Sequence, residues 1–243
     1  MTLMKKENYK IIAIIPAYNE SGKISKVVKK IPTQYVDEIL VVDDGSIDDT
    51  RKEAEQAGAS VISHPKNRGV GAAIRTGLDY ALQKGFDIAV IMGGDDQDDP
   101  TQMDRLLKKI IDEGYDFVQG SRYLPEGETV NIPWFRWITT GFYSFLFKVL
   151  AQFPITDGTN GFRAFRLSIL KHPQINIHQR WLNTYELEPY LYYKAIKCGF
   201  KVTEAPVTKS YPKGKRGFSK MIPLLDWWRI LKPLIYLKLK LKN

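Results

Sequence analysis

Ile88-Ala-Val-Ile-Met92 runs straight into Gly93-Gly94-Asp95-Asp96-Gln97-Asp98-Asp99-Pro100. A short apolar run rich in β-branched residues reads as a buried strand, the glycines and acids behind it as a loop at the strand's carboxyl end. Pro100 suits the first position of a following helix, where its missing N–H costs nothing. Outward from this passage the same rhythm recurs. Strands are expected at Lys10 to Ile15, Glu38 to Val42, Ser60 to Ser63, Ile88 to Met92 and Phe117 to Gly120. Helices are expected at Ser21 to Lys30, Asp48 to Ala57, Val70 to Lys84 and Pro100 to Glu113. Such alternation predicts an α/β fold, a Rossmann-like, mostly parallel central sheet flanked by helices.

After Gly120 the rhythm breaks. An aromatic segment spans Trp134 to Phe153, a glycine-rich loop Asp157 to Gly161, a helix lies near Tyr185 to Lys197, and a strand is expected at Lys201 to Val207. No internal repeat or low-complexity linker divides the chain. The expected organisation is one domain over residues 1–218, with a nucleotide-type half (10–123) and an acceptor-type half (124–218), followed by a basic amphipathic helix over 219–243. In that helix Leu224, Trp227, Trp228, Leu231, Leu234 and Ile235 can share one face, with Asp226, Arg229 and Lys232 on another. Pro233 is expected to kink it.

The 243 residues are 44% hydrophobic and 26% charged, ordinary globular usage that argues against a disordered or fibrous chain. Cys198 stands alone, so neither an internal disulfide nor a cysteine-built zinc site is expected. Met1 to Lys10 carries no apolar stretch of signal-peptide length, and the uncharged aromatic run Trp137 to Phe147 is far short of the roughly 20 residues a membrane span needs. A cytoplasmic protein with at most peripheral membrane contact is the expectation. Net charge is +9, and the excess is concentrated from Lys209 onward, where ten basic residues meet only Asp226. That placement points to an anionic partner at the C-terminal end.

In open α/β sheets ligands bind beyond the carboxyl ends of the strands. There this chain places Pro16-Ala17-Tyr18-Asn19-Glu20, Asp43-Asp44-Gly45-Ser46 and the Gly93 to Pro100 segment. Crowded carboxylates need a compensating cation or hydrogen-bond donors. Magnesium or manganese commonly bridges one or two carboxylates to substrate phosphates, so a ligand carrying a diphosphate is a coherent expectation, with Asp95 and Gln97 as metal ligands. Structural roles account for some of the acids: Asp98 or Asp99 as a cap before Pro100, and Asp48 and Asp49 in a helix first turn. Paired strand-end acids also fit a glycoside hydrolase. Gly69-Val70-Gly71 resembles part of a dinucleotide fingerprint, but it follows the third strand and residue 74 is Ile, which argues against NAD. His64, His172 and His178 are scattered and read as ordinary surface or loop residues.

Taken together, Pro-Ala-Tyr-Asn-Glu at 16–20, Val-Asp-Asp-Gly-Ser at 42–46, the Asp95/Gln97 segment, Gly-Ser-Arg-Tyr at 120–123, Asp-Gly-Thr-Asn-Gly-Phe-Arg-Ala-Phe at 157–165 and Gly-Phe-Ser-Lys at 217–220 resemble the family 2 glycosyltransferases of GT-A fold. The subgroup they resemble is the dolichol-phosphate (polyprenyl-phosphate) mannosyltransferases. The resemblance implies that Pro16, Ala17, Tyr18, Asn19 and Glu20 line the nucleotide pocket, that Val42 and Asp44 contact base and ribose, and that Gly94 and Asp95 face the donor. It implies Mg2+ or Mn2+ on Asp95 and Gln97, and Arg122, Arg163 and Lys220 as cations for donor or acceptor phosphates. Two positions depart from the family pattern. Gly93 stands where the metal motif has its first acid, so water or Asp96 must complete the ligand set. Gly214 stands where an arginine precedes the Gly-x-Ser-Lys stretch, leaving Lys213, Lys215 or Arg216 to supply that charge.

The implied reaction is inverting transfer of a hexose from a GDP- or UDP-sugar to a polyprenyl phosphate at the cytosolic face of a membrane, with the basic tail as the membrane contact. Packing of that tail on the domain is the other reading of the same helix. A phosphate acceptor needs no general base; a hydroxyl acceptor in cell-surface glycan synthesis would, and Asp157 is the candidate. A binding module that lost metal chemistry through Gly93 is the remaining alternative. Nucleic acid is not an expected partner, since the body has neither a basic stripe nor an aromatic RNA-binding signature. Oligomeric state is left open.

Overall fold

The computed structural model describes residues 8–212 and 225–242. Its first half alternates as the hydrophobic pattern requires: β1 (Ile11–Ala17), α1 (Ile24–Lys30), β2 (Glu38–Asp43), α2 (Thr50–Gln56), β3 (Ser60–Ser63), α3 (Val70–Gln83), β4 (Ile88–Ile91), α4 (Met103–Ile111) and β5 (Phe117–Ser121). The second half adds β6 (Glu128–Val130), α5 (Trp134–Ala151), β7 (Arg163–Arg166), α6 (Leu187–Lys197), β8 (Val202–Pro206), β9 (Thr208–Ser210) and α7 (Leu225–Lys238). The central sheet has the order β3-β2-β1-β4-β7-β5-β8, and β6 pairs with β9 in a separate two-stranded ribbon. Every pairing in the large sheet is parallel except those of β7.

Strand β7 was hidden in the sequence. Arg-Ala-Phe-Arg has no apolar run, yet it lies between β4 and β5 and is antiparallel to both. It completes a sheet to which both halves of the chain contribute. Each face of that sheet covers its own core. Ile12, Ile14, Leu40 and Val42 pack under α3, and the same cluster reaches α6 and Leu234 of α7. Ile11, Ile15, Val41 and Val90 pack under α1 and α4 on the other side.

The glycines opening α3 answer a steric demand. A Cβ on Gly71 would lie 2.2 Å from the Leu182 carbonyl oxygen and 2.5 Å from that of Thr184, and Ala72 N donates to the Asn183 carbonyl at 2.9 Å. Backbone from the second half of the chain therefore occupies this helix start, which removes the dinucleotide reading in favour of close packing. Gly71→Ala is expected to lower stability by about 1–3 kcal/mol, the usual cost of overpacking a filled site, read as a lower denaturant midpoint.

Helix α7 packs on the body, touching α5 and α6. It continues through Pro233, which is buried along with Leu234. The expected polar face is turned inward. Asp226 is buried against Arg229 at 2.7 Å, and Lys232 pairs with buried Glu186 at 2.7 Å. The Tyr143 hydroxyl also donates to the Ile230 carbonyl at 2.9 Å, beside the position where Pro233 offers no N–H.

Candidate active site

The loops leaving β1 and β2 are stitched together. Asn19, in the left-handed region at φ 51°, receives Ile47 N on its Oδ1 at 3.0 Å and donates its own N–H to Ser46 Oγ at 2.9 Å. The Glu20 amide donates to Thr50 Oγ1 at 2.7 Å, and the Glu20 carboxylate pairs with Lys23 at 2.7 Å. Asp48 accepts from Thr50 N and Ser21 N. These bonds fix the Asn19–Glu20 turn at the end of β1 against the Ser46–Thr50 loop that follows β2.

Two neighbours take roles other than the expected nucleotide contacts. Val42 is fully buried in the core beneath Gly77, whose Cβ would meet it at 3.4 Å. Asp44 is also buried, and its oxygens accept from Arg68 N at 2.9 Å and Gly69 N at 2.7 Å and contact His64 Nδ1 at 2.6 Å. The second His64 nitrogen meets Thr76 Oγ1 at 2.9 Å. His64 is thus a buried strut rather than a surface residue, and Asp44 anchors the loop that starts α3.

Beyond β4 the acids separate by function. Asp96, at φ 60°, turns outward to Lys30 at 2.8 Å, which takes it away from the metal role suggested for it. Asp99 caps the turn Pro100–Gln102 by accepting from Thr101 N at 3.1 Å. Asp98 is buried and bound to Lys209 Nζ at 2.7 Å. Asp95 remains, its Oδ1 accepting from Gln97 N at 3.2 Å, with Gln97 buried beside it. Burial raises the Asp95 carboxyl above the ordinary carboxylate value; Lys209 opposes this, while Asp98 and Glu20 add to it. Lys209 is itself raised, because Asp98 and Asp95 outweigh the burial that disfavours its charge.

Among the described residues no three acids, histidines or cysteines gather as a ready-made metal cage. Asp95 with Gln97 beside it does fit a hard cation that brings its own oxygen ligands, since Mg2+ needs only one or two protein carboxylates when phosphates and water fill the rest.

Two of the expected phosphate cations, Arg122 and Arg163, are held in ion pairs. Arg122 grips Asp157 in a bidentate pair, Nε to Oδ2 and Nη2 to Oδ1 both at 2.7 Å, and Nη1 donates to the Tyr211 hydroxyl at 2.6 Å. Both side chains are buried. Arg122 holds the Asp157 carboxyl below the usual carboxylate range despite complete burial. A carboxylate so engaged cannot take a proton from an acceptor hydroxyl, so Asp157 positions Arg122 instead of acting as a base. Arg163 pairs with Glu188 at 2.9 Å and donates to the carbonyls of Glu188 and Asn160, tying the glycine-rich loop to α6. Lys220, the Gly-Phe-Ser-Lys stretch and the cations Lys213, Lys215 and Arg216 lie outside the described residues.

Lys209 is the residue that sequence reading missed. Its place in the sequence groups it with the basic tail, but β9 carries it to the end of β4, against Asp98, 111 residues away in sequence. The only sequence signal for it is that Lys209 lies two residues past the expected strand end at Val207.

Strand-end acids on a parallel sheet interrupted by one antiparallel strand define a GT-A type nucleotide-sugar fold. The family model for glycosyl transferase family 2 matches residues 12–172, and the chain belongs to that family; it is a glycosyltransferase. It is 33% identical to the polyprenol monophosphomannose synthase of Mycolicibacterium smegmatis over 220 residues, 86% of this chain and 80% of that protein. It is 32% identical over 240 residues to the UDP-N-acetylglucosamine–dolichyl-phosphate N-acetylglucosaminyltransferase of Methanococcus voltae, covering 91% and 94% of the two chains. Its fold superposes with TM-score 0.73 on glucosyl-3-phosphoglycerate synthase from Mycobacterium tuberculosis, crystallised with Mn2+, UDP and its glucosylated product, at 18% identity over all of this chain and 86% of that one.

Proposed function

We propose that this chain transfers a hexose, with inversion, from a GDP- or UDP-sugar to a polyprenyl phosphate at a membrane surface. The observation that carries this reading is a site joined to an apolar surface. From Thr140 through Tyr143, Ser144, Phe147 and Ala151, α5 buries one face. On the other it exposes Trp134, Trp137, Phe142 and Phe145, with Trp134 76% accessible. Trp228 of α7 extends this surface, and between the helices lies an apolar groove of about 240 Å3 lined by Phe142, Tyr143, Leu146, Trp227, Trp228 and Leu231. The same helix meets the site. Tyr123, next to Arg122, bonds Thr140 at 2.6 Å, and the Arg136 guanidinium lies 5.2 Å from the Tyr211 ring.

Patches of exposed aromatics this large mark interaction surfaces, and exposed Lys238, Lys240 and Lys242 at the end of α7 suit an anionic bilayer. No helix among the described residues is long and apolar enough to cross a membrane, so contact of this kind is peripheral. The names of the two relatives, both acting on polyprenol or dolichyl phosphate, support the same acceptor class.

In this mechanism Pro16 to Glu20 receive the nucleoside, and Asp95 with Gln97 would hold Mg2+ or Mn2+. When bound, the metal offsets charge on the leaving diphosphate. Arg122, fixed by Asp157, keeps the acceptor side of the site rigid. A phosphate monoester, with a second pKa near about 6, is already a nucleophile at neutral pH. It requires no base, which agrees with the immobilised Asp157 carboxylate. Offered polyprenyl phosphate and the corresponding free prenol, the enzyme is expected to glycosylate the phosphate alone; equal use of the alcohol would reverse the assignment. Phe142→Ser with Phe145→Ser alters only exposed positions, so stability should stay within about 0.5 kcal/mol. Binding to anionic vesicles should weaken at least about tenfold, because each buried aromatic contributes about 1.5–3 kcal/mol. Sedimentation with vesicles measures this.

A further inference from the structure

Lys209 is held from two sides. Thr208 N donates to Gln102 Oε1 at 2.7 Å, Gln102 Nε2 returns a bond to Thr208 Oγ1 at 3.0 Å, and Ser210 N donates to the Gln97 carbonyl at 2.8 Å. The backbone of Lys209 also bridges that of Asp98. With the main chain fastened to the metal-motif loop, the ammonium is fixed on Asp98 and faces the charge of Asp95. Gly93 borders the same two acids, its amide nitrogen 3.4 Å from Asp98 Oδ2. A Cβ there would stand 3.2 Å from Asp95 Oδ1, a tight contact, and 3.9 Å from Asp98 Oδ2, so a carboxylate side chain at 93 would start against Asp95 and add a further negative charge beside both acids. Glycine at 93 and lysine at 209 shift the corner's charge in the same direction. Asp95 and Asp98 together with one ammonium leave a single net negative charge, where the usual motif offers two acids to the ion.

We propose that Lys209 is a fixed internal cation of the donor corner, a positioning residue that sets its charge so that a divalent ion is retained only together with a nucleoside diphosphate. This rests on the reading that the Asp95 corner receives the donor. The protein alone attracts the ion weakly, and the diphosphate supplies the missing charge and oxygen ligands. Metal and donor therefore arrive as a unit, and Gly93 becomes part of a coherent arrangement instead of a lost ligand.

Free Mn2+ measured by electron paramagnetic resonance tests this on the full chain, without and with UDP or GDP, each variant's fold being checked by circular dichroism. For the unaltered protein, nucleoside diphosphate should raise Mn2+ uptake at least about tenfold. Lys209→Met, which removes one positive charge within a few ångströms, should tighten Mn2+ binding by the protein alone at least about tenfold. Loss of a merely structural lysine would not strengthen metal binding. Should Lys209→Met fail to fold, Asp98→Asn keeps the side-chain shape and moves the charge the other way, and Mn2+ binding by the protein alone should weaken. A folded Lys209→Met with unchanged or weaker Mn2+ binding, or Asp98→Asn with unchanged or tighter binding, overturns the proposal. Asp95→Asn separates the two readings: if it takes up Mn2+ with UDP or GDP as the unaltered protein does, the donor corner is misassigned, whatever Lys209 does.

Discussion

Asp95→Asn is expected to lower kcat/KM at least about a hundredfold while the protein remains folded. The amide retains the oxygen that accepts from Gln97 N at 3.2 Å, so the loop keeps its turn and only the charge is lost. Asp96 is committed to Lys30 and Asp98 to Lys209, and neither can replace it. The departing nucleoside diphosphate would then lack the preorganised charge stabilisation that commonly contributes a factor of about 10² to 10³. Steady-state kinetics with saturating acceptor measures the loss; an Asp95→Asn enzyme of near-normal kcat/KM would place the chemistry elsewhere.

Asp157→Ala is expected to produce the largest loss of stability. Arg122 would remain buried with its carboxylate partner gone, and breaking a buried ion pair from one side costs about 3–5 kcal/mol. In a chain of this size that corresponds to a fall in Tm of roughly 10 °C or more, measurable by calorimetry. The loop bearing Asp157 is held a second time by Glu204, which accepts from Thr156 N at 2.8 Å and Asp157 N at 2.9 Å, so the damage should stay local to the glycine-rich loop. The pH dependence follows from the direction of the shift. Because the folded pKa of Asp157 lies below its unfolded value, the pair's contribution is complete above the ordinary carboxylate pKa of about 4. It is lost only as pH falls through the lower folded value. Stability of the unaltered protein should therefore be insensitive to this group between neutrality and about pH 4.

The first half was legible because β1, β2 and β4 carry continuous apolar runs and the helices between the strands keep their spacing regular. Strand boundaries at Glu38 and Ser60 agree, and α1 and α2 begin two or three residues later than expected, where the loops bond each other before the helices start. Strand β7 was not legible, because Arg163 is buried by pairing with Glu188, a partner remote in sequence. The same limitation explains Arg122, Asp44 and Lys209. Motif position correctly put Arg122 and Asp44 at strand ends, yet what each charge does depends on which other charge the fold sets against it. Composition gave the C-terminal basic excess, but Lys209, Arg229 and Lys232 are paired with Asp98, Asp226 and Glu186. The exposed aromatic face of α5 emerged only once the buried set from Thr140 to Ala151 fixed the helix rotation.

Incubation of the enzyme with radiolabelled GDP- and UDP-hexoses and polyprenyl phosphate in anionic vesicles, followed by solvent extraction, tests the central claim most directly. The account predicts label in an extractable polyprenyl phosphate sugar, dependent on the phosphate group and lost in Asp95→Asn. Label confined to a water-soluble acceptor, or a glycolipid formed equally well by Asp95→Asn, would contradict it.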